Sequence, residues 1–179
     1  MLLLSICVTL LGAEPMHPAP THSSHPSPGP EHARLAAMVG TWDVELTTWE
    51  NAGEPPAKSR GFAVVEPLFG GLFVQERLEG LTGERPFVEL SWTGFDAQSR
   101  RYQLARLGSG TTAMALYEGV IDERDGGLVL EGPAAIAGDR ERCVLRQPTP
   151  DERLLLCQRQ PRSGAAWQSR ELRYIRRKG

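Results

Sequence analysis

At 179 residues with a formal net charge of −2, the chain has the length of one domain and lacks the charge excess of a nucleic-acid-binding protein. The charge is uneven: residues 139–179 hold eleven Lys or Arg against five Asp or Glu, and the remainder nine against seventeen. In that basic third, Arg140, Arg142 and Arg146, then Arg153 and Arg159, alternate with apolar residues. The pattern reads as exposed strand faces whose charges discourage aggregation, and no nucleic-acid partner is expected.

The N-terminus opens on an apolar run, Leu2-Leu3-Leu4-Ser5-Ile6-Cys7-Val8-Thr9-Leu10-Leu11, the length of a signal-peptide core and too short to span a bilayer. Residues 1–13 are read as a signal peptide, although no Lys or Arg precedes the run and the first basic residue is Arg34. Residues 14–34 follow as a Pro- and His-rich linker holding Pro15, Pro18, Pro20, Pro26, Pro28 and Pro30 with almost no apolar side chains. Export to the periplasm or the medium is the expected localisation, with no membrane insertion once the signal is removed.

Residues 31–38 suit a short helical turn with Leu35 and Met38 on one side. The folded domain, residues 35–179, then runs as strands. Trp42, Val44, Leu46 and Thr48 alternate with Asp43, Glu45 and Thr47, a period of two with one face in a core. Strands are predicted over 41–49, 59–66, 72–79, 86–94, 100–107, 112–121, 127–131, 140–147, 153–160 and 167–176. Turn chemistry separates them, as in Gly70-Gly71, Asp96-Ala97-Gln98-Ser99 and Asp125-Gly126-Gly127. With no helical period between strands, the fold class is all-β: an antiparallel up-and-down barrel of about ten strands.

Cys143 and Cys157 lie symmetrically about Pro150 in a predicted hairpin, so folding it sets them opposite each other. Opposed residues of an antiparallel pair are close enough for a disulfide, which an oxidising compartment favours; two small buried thiols are the alternative.

Gly40-Thr41-Trp42 at the start of the first strand resembles the Gly-x-Trp opening of lipocalins and their calycin relatives. In those barrels the Trp packs across the closed end under a basic residue of the last strand, which implies Arg173 or Arg176 here. A fuller resemblance is to a bacterial family of uncharacterised, often secreted, lipocalin-like proteins. It rests on Gly40-Thr41-Trp42, Gly70-Gly71-Leu72-Phe73-Val74-Gln75-Glu76, Gly94-Phe95-Asp96 with Tyr102, and Tyr117-Glu118-Gly119, in that order. The resemblance implies the barrel and brings no activity with it.

The chemistry-bearing residues are sparse. His17, His22, His25 and His32 all fall before the strands, in surroundings with nothing rigid to hold a metal, so neither a metal nor a cofactor is expected. Glu76 is in phase with Val74 and Leu78, and Glu118 with Met114, Leu116 and Val120, which would place both carboxylates inside. Arg106, in phase with Tyr102 and Leu104, is a candidate partner, and Trp92 a candidate lining residue. Three functions stay open: a small, apolar or amphipathic ligand anchored by Glu76, Glu118, Arg106, Tyr102 and Trp92; a cell-envelope interaction module with a packed interior; and an enzyme using Glu76 and Glu118 as an acid–base pair.

Overall fold

The computed structural model describes residues 26–82, 85–134 and 138–178; the proposed signal peptide and most of the linker lie outside them. A helix, α1 (His32–Met38), leads into ten strands: β1 (Gly40–Thr48), β2 (Ala57–Leu68), β3 (Phe73–Thr82), β4 (Arg85–Asp96), β5 (Arg101–Gly108), β6 (Ala115–Ile121), β7 (Leu128–Pro133), β8 (Arg140–Thr149), β9 (Glu152–Gln160) and β10 (Trp167–Arg176). Each strand pairs antiparallel with its sequence neighbours, and β1 closes on β10 with Trp42 opposite Arg176 and Val44 opposite Tyr174. The barrel is therefore closed and up-and-down, as the strand periodicity predicts, and among the described residues no sheet edge is left free.

Alternation sends Trp42, Val44 and Leu46, Ala63 and Val65, and Val74 and Leu78 into the core, where all are buried. Two strands run in the opposite phase to the sequence reading. On β6, Tyr117 and Gly119 face inward, whereas Leu116 is 62% and Val120 45% exposed. Glu118 therefore points outward. Hydropathy favours the wrong face because the inner one holds a tyrosine and a side-chain-free glycine, and a Cβ at Gly119 would collide with the Val129 carbonyl of β7. On β4, Thr93 faces the core and Trp92 lies on the outer face, its Nε1 donating to Gln75 Oε1 at 3.0 Å.

One end of the barrel is shut by α1. Leu35 and Met38 are buried against the core, and Trp42 Nε1 donates to the Met38 carbonyl at 3.0 Å. Arg176 completes the closure: its guanidinium lies 4.1 Å from the Trp42 ring centroid and donates to the carbonyls of Val39 (2.6 Å) and Ala37 (2.9 Å). It thereby satisfies carbonyls that the helix end leaves free. Gly40 has φ +138°, and a Cβ there would strike the Arg176 guanidinium, so the glycine of Gly-x-Trp makes room for the arginine. Between the two candidates for this role, Arg176 takes it; Arg173 is exposed on the outer face, bonded to Glu152 at 2.8 Å.

Cys143 and Cys157 face each other across β8 and β9 and form a disulfide, with Cα atoms 4.0 Å apart. Both are buried on the inner face. Closing a 14-residue separation restricts the unfolded chain by about 3 kcal/mol. Replacing both cysteines by alanine is expected to lower the unfolding free energy in urea by about that amount without changing the far-UV spectrum; a difference under about 0.5 kcal/mol would mean the bridge contributes nothing to stability.

Candidate functional site

The interior is divided into a filled half and an open half. In the filled half, Arg153 on β9 is 1% exposed and packs 3.8 Å from the Tyr174 ring centroid and 5.1 Å from that of Trp42. Its Nη2 donates to Glu76 Oε2 at 2.5 Å, and the Tyr174 hydroxyl donates to Glu76 Oε1 at 2.9 Å. Burial pushes the Tyr174 hydroxyl well above the usual phenol range, and the adjacent Glu76 pushes it further, so it stays a donor. Glu76 is thus inside, as its phase on β3 predicts, and its partner is Arg153 rather than Arg106. Arg153, read from sequence as part of an exposed face, is the core of this half.

Tyr102 also sits at the shut end. It is buried beneath α1, donates to the Glu31 carbonyl at 2.9 Å and stacks edge-on with Phe95. His32 belongs to this packing: it is buried, accepts from Gly29 N at 2.9 Å and meets Phe95 edge to face. His32, which the sequence reading assigns to the linker, is thus packed against the fold.

The open half holds a cavity of about 730 Å³, lined by Leu46, Phe87, Ala115 and a set of charged side chains. Arg106 donates to Glu141 Oε2 at 2.7 Å and bonds the Tyr117 hydroxyl, which itself donates to Glu141 at 2.8 Å. Arg170 donates to Glu89 at 2.9 Å. A register shift in β10 between Gln168 and Arg170 inserts Ser169, which is buried and donates to the Cys157 carbonyl at 3.2 Å. This bulge lets Ser169 and Arg170 both reach the interior. A second, shallower hollow of about 880 Å³ lies outside the barrel between α1 and the β8–β9 turn.

The charges in the mouth are held by one another. Burial of the Glu89 carboxyl opposes its ionisation, but Arg170 and Arg106 outweigh burial and hold it below the ordinary glutamate range. For Arg106, desolvation is outweighed by Glu89, Tyr117 and Glu141, which raise its affinity for the proton further. The Tyr117 hydroxyl is raised by burial and by Glu141 against the pull of Arg106, so it too remains a donor. These are fixed charges and dipoles, suited to orienting a bound molecule and unsuited to moving protons near neutrality.

Of the residues singled out from sequence, Arg106 alone lines this cavity. Glu76 and Tyr102 lie in the filled half, and Glu118 and Trp92 are on the outer wall. Glu76 and Glu118 therefore share no site, and the acid–base pair built on them has no geometry to support it. Glu89, Glu141, Arg159 and Arg170 were missed. The signal for two of them was present: Glu141 and Arg159 are two residues from Cys143 and Cys157, on the same faces as the cysteines that the sequence sets opposite each other. Among the described residues the only grouping with metal-ligand chemistry is Glu141, Cys143 and Cys157, and its two cysteines are bonded to each other.

The profile of a family described as protein of unknown function (DUF1579) matches residues 27–176. No curated protein sequence matches the chain. Among solved structures, the S-type phycobiliprotein lyase CPES from Guillardia theta superposes with a TM-score of 0.60 at 13% identity, covering 83% of this chain and 93% of that one. A de novo designed fluorescence-activating β-barrel gives a TM-score of 0.46 at 13% identity, covering 80% of this chain and 96% of its own. The likeness to the lyase is one of fold.

Two outcomes follow from the buried charges. Glu76→Ala leaves Arg153 without its counter-charge and is expected to cost about 3 kcal/mol in chemical denaturation, whereas Glu76→Leu with Arg153→Met restores most of it; equal costs for the two would show that the pair is not the stabilising unit. Because the folded-state pKa of Glu89 is depressed, its contribution is present above the unfolded value near 4.5 and is lost as pH falls through the folded one. The stability gap between the wild type and Glu89→Gln, measured by thermal melting, should therefore be full at pH 7 and begin to close below about pH 4.5. A gap independent of pH would remove the assignment.

Proposed function

The chain belongs to the DUF1579 family, and we propose that it is an exported carrier or receptor that binds a small amphipathic molecule in the open half of its barrel. The observation that carries this reading is the 730 Å³ cavity, lined by apolar side chains such as Leu46, Phe87 and Ala115 and by two preformed ion pairs. Its volume falls within the range of small-molecule sites, which combine apolar lining with a few placed polar groups. Ion pairs already formed before binding reduce the ordering that a ligand must supply. Export is supported by the apolar N-terminal run and by the Cys143–Cys157 disulfide, a bond that persists in oxidising compartments. No helix among the described residues is long and apolar enough to cross a membrane.

A second reading, an envelope interaction module, draws on the outer face of β6, where Leu116 (62%) and Val120 (45%) are exposed. A packed interior was its premise, and the open cavity favours binding over it.

The test is fluorescence titration with the neutral probe N-phenyl-1-naphthylamine. The wild type should give saturable, one-to-one binding. Ala115→Trp, which places an indole at the cavity wall, should weaken binding at least tenfold with an unchanged melting temperature. A probe that does not bind, or that ignores Ala115→Trp, would move the function away from the cavity.

A further inference from the structure

The charge balance of the cavity narrows its ligand. Arg106, Arg159 and Arg170 all line it, while its buried-side carboxylates are Glu89 and Glu141; Glu50, also at the rim, is exposed to water. Arg106 is matched by Glu141 and Arg170 by Glu89. Arg159 stands opposite Glu141 in the β8–β9 register, yet that carboxylate is engaged by Arg106 and Tyr117, and among the described residues Arg159 has no ion pair. The Arg159 Nε is buried without an acceptor. So is the Trp167 Nε1 of the residue directly across on β10, whose ring the Arg159 guanidinium covers at 5.6 Å.

Guanidinium and indole nitrogens are donors only, and a buried donor without a partner is costly. Arg159 lines the cavity, and its guanidinium, left there without a counter-charge, selects a negative acceptor. Resting on the binding function above, we propose that the ligand is an amphipathic anion. Its carboxylate or phosphate head is held by Arg159, and its apolar body sits among Leu46, Phe87 and Ala115.

Isothermal titration of the disulfide-bonded chain with decanoate, decyl phosphate and decan-1-ol separates head from tail. The better-bound of the two anions should bind at least tenfold tighter than the alcohol, as expected for a charge-assisted hydrogen bond. Whether decanoate or decyl phosphate binds better identifies the head. Arg159→Gln should abolish the advantage and leave decan-1-ol unchanged. Equal affinity of the wild type for alcohol and anions overturns the proposal even if Arg159→Gln does not fold, and so does equal weakening of all three ligands by Arg159→Gln. If decan-1-ol and the neutral probe both fail to bind while an anion binds, the amphipathic reading falls and the anion site stands.

Discussion

The interior depends on a single strut. Arg153 reaches from β9 to Glu76 on β3, two strands that are not neighbours in the sheet. It does so beside the rings of Trp42 and Tyr174. An arginine almost wholly removed from water is tolerated only where its charge is matched and its faces are covered. Here the carboxylate supplies the match, and the aromatic rings supply cation–π contact. Because these four side chains fill the barrel from wall to wall, the space a ten-stranded barrel encloses is confined to the other half. The same strut adjoins the Trp42–Arg176 closure, so two guanidiniums lie against one indole.

How much of this was legible follows from what period-two patterning can register. It located all ten strands to within a few residues, because each ends in turn residues and each alternates in a closed sheet with one wet face. It assigned the faces of β1, β3 and β5, where the inner residues are apolar or aromatic. It failed on β6, where the inner positions include Gly119 and the outer ones Leu116 and Val120. A barrel whose outer surface carries apolar residues gives hydropathy no way to choose between faces. The arginines failed for the opposite reason. Arg153 and Arg159 look like solvated charges until they are placed in phase with Cys157, and only the tertiary pairing with Glu76 explains why one can be buried. The choice between Arg173 and Arg176 was likewise undecidable from sequence, since it depends on which residue of β10 stands opposite Trp42.

The recurrent glycines that carry the family resemblance acquire physical causes in the structure. Gly40 clears the path of Arg176, and Gly119 admits the β7 backbone. Gly94 faces the ring of Phe73 across β3 and β4, where a Cβ would collide with it. Such positions mark the fold rather than the ligand, which is why a match over 27–176 describes a barrel without naming what it holds.

The mouth arranges its charges differently from the strut. In the filled half a positive group is closed in by its partner and by aromatic faces, and nothing further can approach it. In the open half the ion pairs Arg106–Glu141 and Arg170–Glu89 border one shared cavity. Each pair fixes the other side chains around it: Tyr117 and Ser169 are oriented, and the β10 bulge brings Arg170 inward. None of these groups contributes a net charge, so they shape the cavity without selecting the sign of its occupant. Selection falls to Arg159, the guanidinium of the cavity that has no ion pair among the described residues. A carboxylate placed opposite Arg159 and free to pair with it would have produced a third closed pair and a cavity indifferent to charge; the absence of one among the described residues gives the mouth a direction.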